Sequence, residues 1–215
     1  MKNQVKDIDE LLMSSNLNTP LRHDAFLMSD DEKVELITEK FSEIMQILGL
    51  DLNDDSLKDT PKRVAKMYVK EIFEGLNPRK APKLSLFENK YGYQQILLEK
   101  NIHFTSTCEH HFLPIVGKAH IAYIPNDKVV GLSKLNRIVK YLAKRPQVQE
   151  RLTLQIAEYL QNALNTEHVA VILDAEHYCI ISRGIEDINS TTVTYEFRGK
   201  FQEYELQNKL FQMIV

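Results

Sequence analysis

The stretch STCEHHFLP, residues 106 to 114, places a thiol, a carboxylate and two imidazoles in four consecutive positions. Thiolate sulfur and imidazole nitrogen are ligands that zinc prefers in proteins. Cys108 and His111 stand three positions apart, so one turn of the chain could direct both side chains at one ion. The spacing therefore predicts that this stretch supplies part of a zinc site.

Cys179, the second of the chain's two cysteines, lies in the segment AEHYCIISRG. The N-terminal sequence MKNQVKDIDELL lacks the apolar core of a secretion signal, and cysteine pairs in cytosolic proteins form metal or reactive sites more often than disulfides. The segment is interpreted as a strand, in which alternate side chains point to one face. The residues expected on that face are His177, Cys179, Ile181 and Arg183.

If Cys108, His111 and Cys179 meet, they give zinc three protein ligands. A catalytic zinc site keeps the fourth position open for water, and zinc lowers the pKa of that water to about 7. A structural site is closed by a fourth ligand, which His110 or His177 could provide. In an open site these two histidines would instead be acids or bases beside the metal. The spacing leaves both alternatives open.

A phosphate site is predicted by positive charge near the start of a helix that follows Gly131-Leu132. Backbone N–H groups at a helix N-terminus and the helix dipole both favour a bound anion. Each cation taken alone is more often a solvated surface charge, but a zinc site together with a polyphosphate site indicates hydrolytic chemistry on a nucleotide. The residues assigned to the phosphate site are Ser133, Lys134 and Arg137 at the helix start, Arg183 before a glycine, and Arg63 and Lys66 in DTPKRVAK.

Start signals and apolar periodicity predict helices in both halves of the chain. Ser29 and Glu32 form a capping-box pattern at the start of one helix. Thr60, followed by proline, is the expected N-cap of the next, and Pro146 separates the last two. The predicted helices span about residues 8–13, 29–49, 60–75, 133–144 and 146–164, and residues 77–82 are interpreted as a linker.

Extended segments are predicted over residues 96–106, 117–125, 167–181 and 190–201. After two N-terminal helices, the order is strand, strand, helix, helix, strand, strand. This order indicates an α+β fold with an antiparallel sheet and a helical N-terminal extension. The predicted domains are an N-terminal arm and helical extension, residues 1–82, and a catalytic domain, residues 83–215.

The composition is that of an ordinary globular protein. Of 215 residues, 43% are hydrophobic and 27% are charged, which is too balanced for disorder. The net charge of -3 gives no global basic excess for nucleic acid or an anionic membrane. No uninterrupted apolar run approaches the ~18 residues of a membrane span. We therefore expect a cytoplasmic protein without a nucleic-acid or membrane partner.

Several motifs, in this order and spacing, resemble the GTP cyclohydrolase I family. They are STCEHHFLP, GKAHIAYIPNDKVVGLSKLNRIV, RPQVQERL, EHYCIISRG and, upstream, DTPKRVAKMYVKE, and the resemblance covers about residues 34 to 200. It implies conversion of GTP and water to formate and 7,8-dihydroneopterin triphosphate, the entry step to folate and other pterins. It also implies the tunnelling fold and a barrel-like homodecamer with active sites at subunit boundaries.

The resemblance also implies catalytic roles. His110 would protonate N7 of guanine while hydroxide attacks C8, and His177 would assist the later hydrolysis and proton transfers that release formate. Ser133 would help to open the ribose before the new ring closes. The zinc ligands implied are Cys108, His111 and Cys179.

Substrate contacts are implied by the same resemblance. Glu150 would bind the guanine edge, with Gln149 beside it in the substrate site. Arg63 and Lys66 would come from a neighbouring subunit. The residues that would hold the triphosphate are Lys134, Arg137, Arg183, Arg63 and Lys66.

Two other functions remain open. One is a non-catalytic module stabilised by zinc, in which His110 or His177 closes the ligand shell, metal removal unfolds the chain and GTP does not bind. The other is a different pterin or deazapurine enzyme of the same fold, which would not need a triphosphate site. The zinc ligands together with the phosphate cluster favour the GTP cyclohydrolase I assignment over this second alternative.

Overall fold

A computed structural model describes residues 17 to 215. The short helix predicted around residues 8–13 lies outside the described residues. The α-helices of the described range are α1 (Asp30–Ile47), α2 (Thr60–Met67), α3 (Leu132–Ala143), α4 (Gln149–Leu164), α5 (Tyr178–Ile181) and α6 (Tyr204–Ile214). The strands are β1 (Leu86–Glu88), β2 (Leu97–Cys108), β3 (Pro114–Tyr123), β4 (Lys128–Val130), β5 (Pro146–Gln147), β6 (Val169–His177) and β7 (Thr192–Phe197).

Helix α1 begins at the predicted capping box. The Glu32 N–H donates to Ser29 Oγ over 3.3 Å, and the Ser29 N–H donates to Glu32 Oε2 over 2.8 Å. These two bonds satisfy backbone donors that have no partner inside the helix. The sequence prediction of this helix start is confirmed.

The second helix departs from its prediction at both ends. Its N-cap is Asp59, because Thr60 already has helical geometry. It is regular only as far as Met67, and a π-helix (Tyr68–Ile72) and a 3-10 turn (Glu74–Leu76) follow. The predicted linker contains a further 3-10 turn (Pro78–Lys80), which Asn77 caps by accepting from the Arg79 N–H.

A five-stranded sheet in the order β5-β2-β3-β6-β7 carries the fold. The four long strands pair antiparallel, as predicted, and the two-residue strand β5 pairs parallel with β2. Strands β1 and β4 form a separate two-stranded sheet. The chain is therefore an α+β protein with a mixed sheet.

Helices α3 and α4 bury their apolar faces with the sheet in the main core. Leu135, Ile138, Val139 and Leu142 of α3 are all 0% exposed, which confirms the predicted inward face. Helix α4 begins at Gln149 and not at Pro146, so that part of the prediction is wrong. Residues 146 and 147 pair with β2, and Val148 is still extended, so the helix starts only after this pairing ends.

The strand predicted over 167–181 ends early. Strand β6 stops at His177 and α5 follows at once, so the prediction that His177, Cys179 and Ile181 alternate on one strand face is wrong. His177 pairs with Ile115, next to Pro114 at the start of β3. Pairing stops there, and a helical turn then satisfies the backbone groups that the sheet no longer reaches.

Helix α6, at the C-terminal end, was not predicted. It buries Leu210 in a second apolar cluster with Phe201, on strands β3 and β6. Within residues 17 to 215, no helix combines the length and apolar character needed to cross a membrane.

Candidate active site

The STCEHHFLP stretch folds as the turn between β2 and β3. Cys108 ends β2; its N–H donates to the Leu113 carbonyl over 2.8 Å, and its carbonyl accepts from the Phe112 N–H over 2.9 Å. Phe112 has a φ of 54°, the left-handed conformation that reverses the chain. The turn leaves Cys108 buried and presents His110 and His111 at the surface.

Cys108, His111 and Cys179 come together as the sequence predicts, although by a different route. One ligand atom from each residue lies within 4.8 Å of the others. Cys179 reaches this position from helix α5, which follows directly after β6, and not from an extended strand. Two sulfur donors and one imidazole at this separation fit a zinc ion.

The thiols of this trio influence each other. Burial raises the pKa of the Cys179 thiol, and the neighbouring Cys108 thiol raises it further because two thiolates close together repel each other. The positive charge of Arg183 lowers the pKa of the Cys179 thiol, because it stabilises the thiolate. A cation bound between the sulfurs would stabilise the thiolate forms that metals require.

His177 is held by Gln149. His177 Nε2 lies 2.7 Å from Gln149 Oε1, while Gln149 Nε2 donates to the Leu173 and Thr192 carbonyls and to Thr194 Oγ1. These acceptors fix the orientation of the amide, so its oxygen accepts a hydrogen bond from the Nε2–H of His177. The proton of the neutral imidazole is thereby held on Nε2, and Nδ1 is left as the acceptor.

Glu150 follows Gln149 at the start of α4, and the two side chains have opposite surroundings. Gln149 is 1% exposed, with its amide engaged inside the protein, whereas Glu150 is exposed. Burial lowers the pKa of His177, and the nearby Glu150 carboxylate opposes this by stabilising the imidazolium. Glu150 is therefore placed close to His177, with its carboxylate open to a ligand.

Glu109 forms a contact that the sequence analysis missed. Arg151 donates to both carboxylate oxygens of Glu109, over 2.6 and 3.0 Å. The guanidinium lowers the pKa of Glu109, and the same carboxylate lies 3.9 Å from His110 Nε2. The turn that carries Cys108 and His111 is thus tied to α4 by a bidentate ion pair. The adjacent motifs gave no signal that Glu109 and Arg151 would pair.

An aromatic cluster anchors the same turn to the N-terminal extension. The ring of Phe112 lies 5.3 Å from Phe73 and 6.2 Å from Tyr68, between ring centroids. Tyr68 and Phe73 stack on each other at 5.4 Å. Phe112 fell between the predicted functional positions, so its role became visible only in the structure.

The predicted phosphate residues lie at helix ends and at the surface. Ser133, Lys134 and Arg137 occupy the first turns of α3, whose N-cap, Gly131, makes no side-chain cap. Arg63 lies on α2 beside Asp59, at 3.6 Å. Among the described residues, Lys66, Lys134, Arg137 and Arg183 form no ion pair with a carboxylate, and no hydrogen bond links the cations of α2 and α3 to the cysteine-histidine trio.

Comparisons with known proteins identify the family. The family model described as GTP cyclohydrolase I matches residues 37–215. A GTP cyclohydrolase 1 of Flavobacterium johnsoniae is 58% identical over 208 residues, which cover 97% of this chain and 93% of that protein. The chain belongs to the GTP cyclohydrolase I family. It is accordingly an enzyme with GTP cyclohydrolase activity.

Two further relatives are also named GTP cyclohydrolase 1. GTP cyclohydrolase 1 proteins of Erwinia tasmaniensis and Escherichia coli are 51% and 52% identical over 195 residues, covering 91% of this chain and 88% of each relative. A crystal structure of the archaeosine synthase QueF-Like in the apo form matches with a TM-score of 0.41 and 17% identity, over 48% of this chain and 93% of that one. The match to the GTP cyclohydrolase I family model continues through α6 to residue 215, beyond the motifs found in the sequence.

Proposed function

We propose that this enzyme opens the guanine ring of GTP by a zinc-dependent hydrolysis, releases formate and forms 7,8-dihydroneopterin triphosphate, the first step of folate and pterin biosynthesis. The observation that carries the proposal is the trio of Cys108, His111 and Cys179, whose ligand atoms lie within 4.8 Å of one another. This donor set suits zinc and includes three ligands, as open catalytic sites do. Bound zinc supplies a Lewis acid that activates water near neutral pH.

The histidines next to the trio would move protons. His110 is exposed, with its Nε2 3.9 Å from the Glu109 carboxylate, and is assigned as the donor of a proton. It would donate this proton to N7 of guanine, making C8 more electrophilic. His177, with its Nε2 proton held by Gln149, would use Nδ1 to accept a proton in the steps that release formate.

Base recognition is assigned to Glu150. Its exposed carboxylate can accept from both N1–H and the 2-amino group of guanine in one bidentate pair. Gln149, expected in the substrate site, has its amide fully engaged within the chain, so we assign it to positioning His177. The guanine edge would then be bound by a residue of α4 that lies close to His177, which is assigned to the reaction of the guanine ring.

The triphosphate would bind at the start of α3, where backbone N–H groups and the helix dipole add to the side-chain charges. Ser133, exposed in the same turn, would help to open the ribose. The absence of carboxylate partners for most of these cations among the described residues supports an anionic ligand. The proposed phosphate ligands are Lys134, Arg137, Arg183, Arg63 and Lys66.

Subunit assembly follows from the same proposal. We assign residues 83–215 to a tunnelling-fold catalytic domain and residues 1–82 to an arm and extension, in a homodecamer with sites at subunit boundaries. Apolar side chains left exposed on one chain support association: Ile47 is 84% exposed and Leu48 is 71% exposed at the end of α1, and Tyr195 is 62% exposed on edge strand β7. Arg63 and Lys66 would act in a neighbour's site.

One assay tests the reaction. The purified, zinc-loaded protein is incubated with GTP, formate is quantified, and the pterin is detected by fluorescence after oxidation. We expect both products in equal amounts, and none after chelation of the metal. GTP left intact by fully zinc-loaded protein would contradict the proposal. If chelation also unfolded the chain, the zinc-stabilised module would be favoured instead.

A further inference from the structure

The first turn of α4 carries three consecutive side chains that face different parts of the candidate site. Gln149 is bonded to His177, and Glu150 is assigned to the guanine edge. The third, Arg151, is paired with Glu109. Successive residues of an α-helix point about 100° apart, so one rigid turn can direct neighbouring side chains to separate targets. Of the three residues, only Arg151 has no part in the proposed function.

Glu109 is held by the segment before and within this helical turn, through both its backbone and its side chain. Its N–H donates to the Gln147 carbonyl over 3.0 Å, next to the pairing of Cys108 with Gln147. Arg151 donates from Nη1 and Nη2 to the two carboxylate oxygens, over 2.6 and 3.0 Å. Two bonds between a planar guanidinium and a carboxylate fix direction as well as distance. The first residue of the connection between β2 and β3, residues 109–113, therefore has a defined orientation.

Both partners of this ion pair are partly removed from water. The Arg151 side chain is 16% exposed and the Glu109 side chain is 25% exposed. Ion pairs between fully exposed side chains are weakened by solvent screening and by side-chain entropy, whereas a bidentate pair of low exposure keeps its geometry. The pair is therefore suited to hold the 109–113 connection in one position.

The ring of His110 lies between the Glu109 carboxylate and the Cys108 sulfur. Its Nε2 is 3.9 Å from Glu109 Oε1, the oxygen that also accepts from Arg151 Nη2. Its Nδ1 is 3.9 Å from the sulfur. The His110 side chain is otherwise open, with 66% of its surface exposed, and an exposed side chain samples several rotamers unless its neighbours restrict it. The position of the carboxylate thus limits the positions open to the ring.

We propose that Arg151 is a positioning residue for ring opening, which holds the His110 imidazole in place through its pair with Glu109. The inference rests on the proposed function, in which His110 donates a proton to N7 of guanine. Because Arg151 follows Glu150 on one helical turn, base binding and proton donation share one rigid frame. A displacement of about 1 Å between reacting groups can lower a rate by ~10²-fold, so such a frame matters for turnover.

Steady-state kinetics of zinc-loaded Arg151→Lys with GTP test the inference. Lysine keeps the positive charge but lacks the planar fork, so we expect kcat to fall at least about tenfold while KM changes less than about twofold. Zinc content, measured by atomic absorption, should stay at the wild-type level. Arg198→Lys is the matched control. Arg198 is 20% exposed and pairs with Glu196 over 2.8 Å, at the end of β7 farthest from the 109–113 connection, so this variant should keep the wild-type kcat.

A double variant shows whether Arg151 acts through His110. His110→Ala lacks the group to be positioned, so adding Arg151→Lys should lower kcat no further. Glu109→Gln keeps the side-chain shape but removes the charge and one acceptor of the pair, and it should reproduce the loss of kcat. A crystal structure of zinc-loaded Arg151→Lys should show the His110 ring displaced, which is a readout independent of turnover.

Other results would overturn the inference. Wild-type kcat in Arg151→Lys, or an unmoved His110 ring, would make the ion pair a structural contact only. A further loss of kcat in the double variant would show that Arg151 acts by another route, and a loss of zinc equal to the loss of kcat would assign the pair to the metal site. If Arg151→Lys fails to fold, Glu109→Gln and its double variant with His110→Ala decide in the same way. GTP left intact by the wild type would refute the proposed reaction, whereas an active wild type with an equally active Arg151→Lys would refute this inference alone.

Discussion

Cys179 and His177 stand two positions apart, yet they have different surroundings. The Cys179 sulfur lies with Cys108 and His111, whereas Nε2 of His177 is bonded to the Gln149 amide oxygen. His177 is not one of the three residues whose ligand atoms lie within 4.8 Å of one another. This difference supports the open, catalytic form of the site over the closed, structural one.

The first prediction concerns the metal ligands. Three ligands leave no redundancy, so Cys179→Ser should lose most of its zinc and nearly all ring opening, while the sheet and helices keep their own cores and stay folded. His110→Ala is the matched variant: it should keep zinc and lose turnover by ~10²-fold or more, since His110 is assigned as a proton donor. Atomic absorption measures the zinc content of each variant, and circular dichroism shows whether each variant is folded. Full zinc occupancy in Cys179→Ser would refute the assignment.

The second prediction concerns base recognition by Glu150. Adenine presents a lone pair at N1, so the wild type should reject ATP strongly, and inosine triphosphate, which lacks the 2-amino group, should bind between ATP and GTP. Glu150→Gln keeps the shape but places a donor opposite guanine's own donors. We expect a large loss of GTP affinity and a smaller gap between GTP and inosine triphosphate, measured by titration calorimetry. Unchanged affinity and discrimination would make Glu150 an exposed helical charge only.

The third prediction uses the pH dependence of stability at His120. This residue is 8% exposed on β3, and burial lowers its pKa below the ordinary value of about 6.5, although Asp174 opposes the shift. Below about pH 6.5 the unfolded chain binds a proton at this residue that the folded chain does not. The free energy of unfolding therefore decreases as the pH decreases, by at most about 1.4 kcal/mol per pH unit.

The variant His120→Gln removes this titration. The free energy of unfolding of the wild type, minus that of the variant, should therefore decrease as the pH falls from about 7.5 to 5.5. Urea unfolding of both proteins at several pH values measures this difference. The pH dependence that comes from all other groups is the same in both proteins, so it cancels in the difference. His103→Gln, at an exposed position of β2, shows the effect of removing an imidazole outside the core. A difference that does not vary with pH would contradict the assignment.

At the level of elements, the turn between β2 and β3 depends on contacts from two directions. Arg151 of α4 holds Glu109 on one side, and the rings of Tyr68 and Phe73 hold Phe112 on the other. Both contacts act on a five-residue connection that carries His110 and a proposed zinc ligand. The position of the proposed zinc ligand His111 is thus held by elements distant in sequence.

The fourth prediction tests the aromatic anchor. Phe112→Ala removes two ring contacts from a half-exposed side chain, so we expect a loss of about 1 kcal/mol in stability. The loosened turn should also release zinc faster and lower turnover several-fold, which a chromogenic chelator and the GTP assay measure. Tyr91→Ala, at a tyrosine that is 98% exposed, is the control and should change neither. Zinc release at the wild-type rate from Phe112→Ala would show that the turn holds its shape without the rings.

At the level of the whole molecule, the proposed triphosphate cations do not form one cluster within a chain. Arg63 and Lys66 lie on α2, in the extension, and no hydrogen bond or ion pair of the described residues joins them to the trio near Cys108. Exposed apolar residues at the end of α1 and on β7 provide surface for association. A site completed by a neighbouring chain accounts for both observations.

The fifth prediction tests this shared site. Arg63→Ala and Cys108→Ser should each be inactive alone, because one lacks part of the phosphate site and the other lacks a zinc ligand. After subunit exchange, hybrid boundaries combine one intact half from each variant, so some activity should return. The GTP assay measures the recovery, and mass-tagged subunits verify the exchange. No recovery after verified exchange would place Arg63 within its own subunit's site or outside any site.

Local signals in the sequence determined much of this protein. The capping box at Ser29 and the buried face of α3 need only neighbouring residues, so short-range patterns predict them. The metal-binding residue types could be recognised without a structure because zinc selects sulfur and imidazole wherever the fold brings them together. The resemblance that those motifs carry also indicated the family that the comparisons show.

Only the tertiary structure decided which element carries Cys179 and whether Gln149 is buried. Strand β6 ends at His177 because its partner β3 begins at Pro114, and this turned the predicted strand into the helix that carries Cys179. Gln149 became buried because residues 146 and 147 first pair with β2, which delays the start of α4. Sheet pairing joins residues far apart in the chain, and neither a local period nor a motif records where such pairing stops.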